Sequence, residues 1–196
     1  MTHTVSRTLS DETLNRIIQI ESAGKLRAKA PTSSALGLFQ FLNGTWLATV
    51  ARHRPDLLEG RTQAQVLALR TDPTVGIEIG ARFTEDNANA LGAGRTDGDL
   101  YLAHFLGLGT ARKFLRARPS AAAAALAGDA AVQANRAILA GKTAGQVRDW
   151  AQNSMLRRWE AAGRTDWIAK YYDPNSALAA PARLGRSCRP LLRQDA

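Results

Sequence analysis

Leu14, Ile17 and Ile18 fall at the spacing that lays down one apolar face of a helix, and the next place on that stripe is taken by a carboxylate, Glu21. A glutamate at the edge of such a stripe can simply snorkel to water. Set on the inner side at the end of a helix, it is instead partly desolvated, and a desolvated carboxyl keeps its proton to higher pH. Cleavage of a glycosidic bond requires a carboxylic acid that is still protonated near neutrality, because the leaving sugar oxygen must receive a proton. The small-residue loop that follows Glu21 favours this second reading.

A second carboxylate would change the outcome, since retaining and inverting glycosidases generally use two. Glu78, Glu85 and Asp86 fall on the helix after Pro73, where Ile77, Gly80, Ala81 and Thr84 make the expected packed face. Glu78 and Glu85 are therefore expected to be solvated; one of them facing Glu21 would favour hydrolysis. Phe39, Phe41, Trp46, Tyr101, Phe105, Tyr171 and Tyr172 are candidates to line a groove with apolar faces for sugar rings, with Trp46 favoured for the core. The histidines His3, His53 and His104 are far apart and make no HExxH pattern, and the single cysteine, Cys188, admits no intrachain disulfide. No metal and no cofactor are expected.

The 196 residues are 45% hydrophobic and 22% charged, enough to bury one sizeable core. A formal net charge of +9 implies an anionic partner: nucleic acid, an acidic membrane surface or an acidic wall polymer. "MTHTVSRTLSDE" lacks the apolar core of a secretory signal, and the run "PSAAAAALAG" is too short and Ala-rich to span a membrane.

Positioning these groups falls to helices, because alternating β-branched runs are scarce; the fold class is expected to be all-α. A first helix follows Ser10, with Asp11 and Glu12 suited to its dipole and Ala23-Gly24 at its end. Others are expected from Asn43 or Thr45 to His53, after Thr62, from Asp72-Pro73 to Leu91, from Asp97 to Leu106 and over "TARKFLRA". "PSAAAAALAGDAAVQANRAILAG" reads as two short Ala-rich helices broken at Gly128, packed through small side chains. A helix from Thr143 or Gly145 to Ala162 carries Val147, Trp150, Met155 and Trp159, and "DWIAKYY" is the last. The expected organisation is an extension over residues 1–9, one domain over 10–173 and a basic irregular tail over 174–196.

Glu21-Ser22 followed by "SSALGLFQF" (33–41) resembles the soluble lytic transglycosylase (SLT) domain, a lysozyme-like family. That family has Glu-Ser at a helix end and then Gly-Ala-x-Gly-Leu-Met-Gln, whose places are taken by Ser34-Ala35-Leu36-Gly37-Leu38-Phe39-Gln40. Ser replaces the first Gly, Phe replaces Met, and the loop is about one residue longer; Thr45 also fits. Ala103-His104-Phe105-Leu106-Gly107-Leu108-Gly109 takes the place of Ala-Tyr-Asn-Ala-Gly-Pro-Gly, with Tyr-Asn changed to His-Phe. "TDWIAKYY" resembles the closing segment. The resemblance covers most of residues 10–118 and 165–172 and leaves 119–164 unaccounted for, as a helical insertion that completes the cleft wall or meets a partner.

The resemblance implies a lysozyme-like helical domain with additional C-terminal helices, cleaving peptidoglycan glycan strands between N-acetylmuramic acid and N-acetylglucosamine. Glu21 would be the acid and then the base, closing a 1,6-anhydro ring in place of admitting water. Gln40 would bind substrate or position Glu21, and Ser33 or Thr32 stands nearest the family's loop serine. Phe39, Tyr101, Tyr171 and Tyr172 are further substrate-binding candidates. His104 stands where the family has a tyrosine near the glutamate; it is either a hydrogen-bonding, pH-sensitive neighbour of Glu21 or a satisfied core histidine.

The partners implied are the glycan strands and the anionic envelope, with a monomer as the favoured state. Action in the periplasm or cell wall is expected, reached through a holin, a virion, dedicated secretion or a removed signal, as for a phage endolysin or a wall enzyme of secretion or flagellum assembly. A hydrolytic muramidase is the alternative on the same fold. Two rivals of another class are a non-catalytic wall-binding protein and a basic nucleic-acid binder using "TAGQVRDWAQNSMLRRWEAAGR" as a helix-turn-helix, with Arg148, Arg157 and Arg158 on phosphates. Scattered charge weighs against the latter, and no nucleic-acid partner is expected.

Overall fold

Ser10 sets the first helix where the sequence places it. Its hydroxyl accepts the Thr13 amide at 3.2 Å, opening α1 (Asp11–Ser22), and the chain then reverses through Ala23 and Gly24 in left-handed conformation. The computed structural model describes residues 9–179. Most of the expected N-terminal extension, and the tail beyond residue 179, lie outside the described residues.

Ten further α-helices follow among the described residues: α2 (Asn43–His53), α3 (Gln63–Ala68), α4 (Pro73–Leu91), α5 (Asp97–Leu106), α6 (Leu108–Arg116), α7 (Ala123–Ala127), α8 (Asp129–Ala134), α9 (Arg136–Leu139), α10 (Ala144–Ala161) and α11 (Trp167–Tyr171). There is no strand among them, and the fold is all-α. No helix among the described residues is long and apolar enough to cross a membrane. The Ala-rich stretch differs from expectation: it forms three short helices, with a second break at Asn135, and α8 buries nothing. The stretch considered as a helix-turn-helix is one continuous helix, α10, which removes the turn that reading needs.

Helix α10 packs along α5 and α1, so residues 144–161 of the 119–164 stretch belong to the core. Gly98 makes the close approach possible; its amide donates to the Gln152 side chain at 2.8 Å. Polar ties hold α1 in place from the far end of the chain. Asn15, buried, donates to Asp166 and accepts from the Ile168 amide, and the Trp167 indole donates to Gln19. Leu14, Ile17 and Ile18 are fully buried, as their spacing predicts.

The loop between α1 and α2 owes its shape to two residues. The guanidinium of Arg70, itself buried, donates to the carbonyls of Ser34 and Phe41 at 2.7 and 2.9 Å. Gly37 passes with φ +85° so close to Arg70 that a Cβ there would lie 2.2 Å from its carbonyl oxygen. Substituting Gly37→Ala is expected to cost about 2 kcal/mol or more, from left-handed strain together with overpacking; denaturant melts compared with wild type measure it.

Arg54 is the second buried cation. It donates to Asp56, to Glu78 at 2.5 Å and to the Leu178 carbonyl at 3.2 Å, joining α2, α4 and the start of the C-terminal tail. Glu78 is 4% exposed and ion-paired, not solvated as the helix pattern predicts. The same contact fastens residues 174–179, the described part of the expected irregular tail.

Candidate active site

The C-terminal end of α1 opens on a cleft of about 550 Å³ lined by Glu21, Lys25, Lys29, Gln40 and Arg158 among others. Glu21 is the single carboxyl in that lining. Its side chain is 16% exposed. Burial pushes its pKa up from the ordinary carboxylate value, against the opposing pull of His104, of a hydrogen bond with Tyr101 and of Arg158. The apolar stripe of α1 thus does to Glu21 what its place in the sequence implies.

The floor beneath Glu21 comes from α5 and the 28–41 loop. His104 Nε2 lies 2.9 Å from the Phe39 carbonyl, which can only accept, so this nitrogen carries the proton and donates it. The same nitrogen is 3.8 Å from Glu21 Oε1, too far for a hydrogen bond. The ring is enclosed by Phe39, Phe41, Phe83 and Tyr101, and Nδ1 is buried with no hydrogen-bond partner among the described residues. His104 is therefore a core residue that clamps the loop to α5 beside the carboxyl. It does not line the cleft.

Tyr101 stands one helical turn before His104, and its hydroxyl favours the ionised form of Glu21. Burial, followed by the neighbouring Glu21 charge, pushes its own pKa far up, so it stays a neutral donor. Because that hydroxyl favours ionised Glu21, Tyr101→Phe is expected to raise the Glu21 pKa further. Any activity that needs protonated Glu21 should then persist to higher pH, and a pH–rate profile beside that of wild type reads the displacement.

Gln40 reaches the cleft, but its amide nitrogen is committed to the loop, donating to Ala28 and Gly37 carbonyls at 2.8 and 2.9 Å. This ties the two sides of the loop to each other, with Gln40 itself at φ +50°. Thr32 and Ser33 sit on the exposed part of the same loop, outside the cleft lining, and Ser33 caps the Ala35 amide.

The aromatic expectations are corrected by burial. Phe39 is 1% exposed and packs over Gly80 of α4, where no sugar can reach it; Phe41 and Trp46 are also core. Tyr101 is buried as well and meets Glu21 instead of a sugar face. Tyr171, stacked on Trp167, donates to the Gly24 carbonyl at 3.0 Å and so braces the turn after α1. Tyr172 belongs to the Arg54–Glu78 neighbourhood, where burial and the Glu78 charge raise its pKa. Neither lines the cleft.

Three cleft residues were not anticipated as such: Lys25, Lys29 and Arg158. The density of basic residues in "KLRAK" directly after Glu21-Ser22 is the signal that could have pointed to the first two. Arg158 arrives from α10, and no local pattern announces it.

The other carboxylates considered for the site are engaged elsewhere: Glu78 with Arg54, Glu85 with Arg82 at 3.1 Å, and Asp86 with Arg52 and His53 at 3.1 and 2.9 Å. Among the described residues no cluster of three or more His, Cys, Asp or Glu side chains could hold a metal ion. A lone carboxyl of raised pKa in an open cleft can donate a proton to a bound group and take one back. No protein-family model matches the chain.

Proposed function

We propose that this chain is a peptidoglycan lytic transglycosylase of lysozyme-like fold, with Glu21 as its single acid and base. The observation that carries the proposal is the desolvated Glu21 as the sole carboxyl lining an open cleft. The Glu-Ser and Ala-x-Gly-Leu-x-Gln resemblance supplies the substrate. Gly37, Gln40 and Arg70 support it further, since each holds the loop that follows α1 in its observed shape.

In this mechanism protonated Glu21 gives its proton to the oxygen bridging N-acetylmuramic acid and N-acetylglucosamine, and the bond from the muramoyl C1 to that oxygen breaks. The resulting Glu21 carboxylate is favoured by the neighbouring Tyr101 hydroxyl. It then takes the proton from the muramoyl C6 hydroxyl as that oxygen bonds to C1. Glu21 is thereby reprotonated, no water is consumed, and the product carries a 1,6-anhydro end. Tyr101 takes over the hydroxyl that the resembled family places where His104 stands. With one carboxyl, intramolecular capture by the C6 hydroxyl is favoured over the two-carboxylate routes of hydrolysis.

The net charge of +9 suits attraction to the anionic envelope, which speeds encounter without choosing the bond. The test is mass spectrometry of digested glycan. Muropeptides with anhydro ends, lighter by one water, are expected. Reducing ends would instead assign a muramidase with Glu21 as its acid, and undigested wall would refute the reading.

A further inference from the structure

A second cavity, of about 310 Å³, opens beside the first turns of α10 and shares no lining residue with the cleft that holds Glu21. Ala137 and Ile138 of α9 give it apolar surface. Lys142, Gln146 and Trp150 complete it, at the four-residue spacing that sets side chains in a row about 5–6 Å apart. All five residues belong to the stretch that the family resemblance leaves unaccounted for. Trp150 differs from the other three tryptophans. Trp46 donates its indole N–H to the Val66 carbonyl at 2.8 Å, Trp159 to the Thr165 carbonyl at 3.1 Å and Trp167 to Gln19 at 3.1 Å. The Trp150 indole N–H has no acceptor among the described residues, and its ring lines the cavity. Tyr101 and Phe105 hold that ring in place, their centroids 5.7 and 5.2 Å away, so it needs little further ordering when a ligand arrives.

The other two polar side chains are donors as well. The Gln146 oxygen already accepts the Thr143 amide at 3.0 Å in the cap of α10, which leaves its NH2 group to donate. Lys142 is exposed, and no salt bridge among the described residues includes it. Such a lining suits a ligand with an apolar face for the indole, acceptor oxygens spread around its rim and one negative charge for Lys142. An aromatic acid carries its acceptors at one end only, whereas a sugar carries oxygens all round. The volume lies at the small end of ligand pockets, about 300–1,000 Å³, which fits one ring and not a strand. We propose that this cavity binds a hexuronic acid, a sugar whose carboxylate is attached directly to the ring. The ring lies against Trp150, the carboxylate pairs with Lys142, and the other oxygens accept from Gln146 and the Trp150 indole. The site is separate from Glu21 and does not rest on the reading of that residue as an acid.

The test follows the indole N–H signals in proton–nitrogen spectra of the labelled full chain, where the signal missing from Trp150→Phe identifies Trp150. Titration with glucuronate or galacturonate is expected to displace that signal to saturation and to leave those of Trp46 and Trp159 in place. Glucose, which lacks the carboxylate, and benzoate, which lacks the ring oxygens, should each bind about tenfold more weakly or worse. Lys142→Gln should weaken uronate binding about tenfold, the scale of one charge-assisted contact. Gln146→Glu keeps the cap of α10, since glutamate serves equally in a capping box, but sets a carboxylate against the ligand. Its Tm should stay at the wild-type value while uronate binding is lost. A Trp150 signal that neither uronate moves, glucose or benzoate binding as tightly as the uronates, or undiminished binding by Lys142→Gln or Gln146→Glu would overturn the site. Binding is read directly, so the result stands apart from whether Glu21 cleaves the wall.

Discussion

Glu21→Gln is expected to lower glycan cleavage by about a thousandfold, the scale of general acid catalysis, and to make the fold more stable. The stability effect follows from the raised Glu21 pKa. A carboxyl whose pKa is higher folded than unfolded contributes its full share of stability below the ordinary carboxylate pKa. That share is lost as pH rises through the folded value, because the folded chain must then bury a charge that the unfolded chain leaves in water. Glutamine avoids this cost. The variant's Tm should exceed that of wild type at neutral and alkaline pH, with the difference vanishing in acid. Melting curves across pH, beside turbidity assays on purified wall, check both halves. Equal Tm at every pH would contradict the burial argument, and substantial cleavage by the variant would remove Glu21 as the acid.

The largest loss of stability is expected at Arg54. Arg54→Leu withdraws the guanidinium that neutralises buried Glu78 and that also holds Asp56 and the Leu178 carbonyl. Removing one member of a buried pair costs about 3–5 kcal/mol, much more than the pair itself contributes. The double variant Arg54→Leu with Glu78→Leu should therefore be more stable than Arg54→Leu alone, even though it has lost two native side chains. Chemical denaturation of the three proteins decides this. A double variant less stable than Arg54→Leu would show that the cost comes from the lost ties to Asp56 and Leu178 and not from an uncompensated carboxylate.

What could be read from the sequence was whatever is decided within a few residues. Ser10, Thr62, Asp72 and Thr143 each cap the helix they precede, because a cap is a contact between neighbours three places apart. Glu21 was legible for a similar reason: three buried residues on one stripe fix which way the fourth faces. Glu78 was not. Its partner stands 24 positions earlier, so the helix pattern alone could only call it solvated. The same holds for the aromatic residues. Phe39 and Phe41 sit inside the motif that shapes the cleft, yet they point into the core, and their depth depends on α4 and α5 closing over them. Arg158 figures in the sequence only under the rival nucleic-acid reading; the packing of α10 on α1 brings it near Glu21. The start of α6 at Leu108 also escaped, since Gly107 precedes it without a capping side chain.

The ties on α1 reach very far along the chain. Asn15 meets Asp166 and Ile168, Gln19 meets Trp167, and Gly24 meets Tyr171, each across roughly 150 positions. Glu21 therefore precedes its most distant partners by well over a hundred positions, and the contacts that aim it wait until that much more chain has emerged. Domains fold as their residues emerge, and closing so long a loop is a late and slow event. A nascent chain holding the whole Glu-Ser and Gly37 loop would thus still lack the ties on α1 until α10 and α11 have docked. Fragments clipped before residue 166 would carry Glu21 without the ties that hold its helix in place.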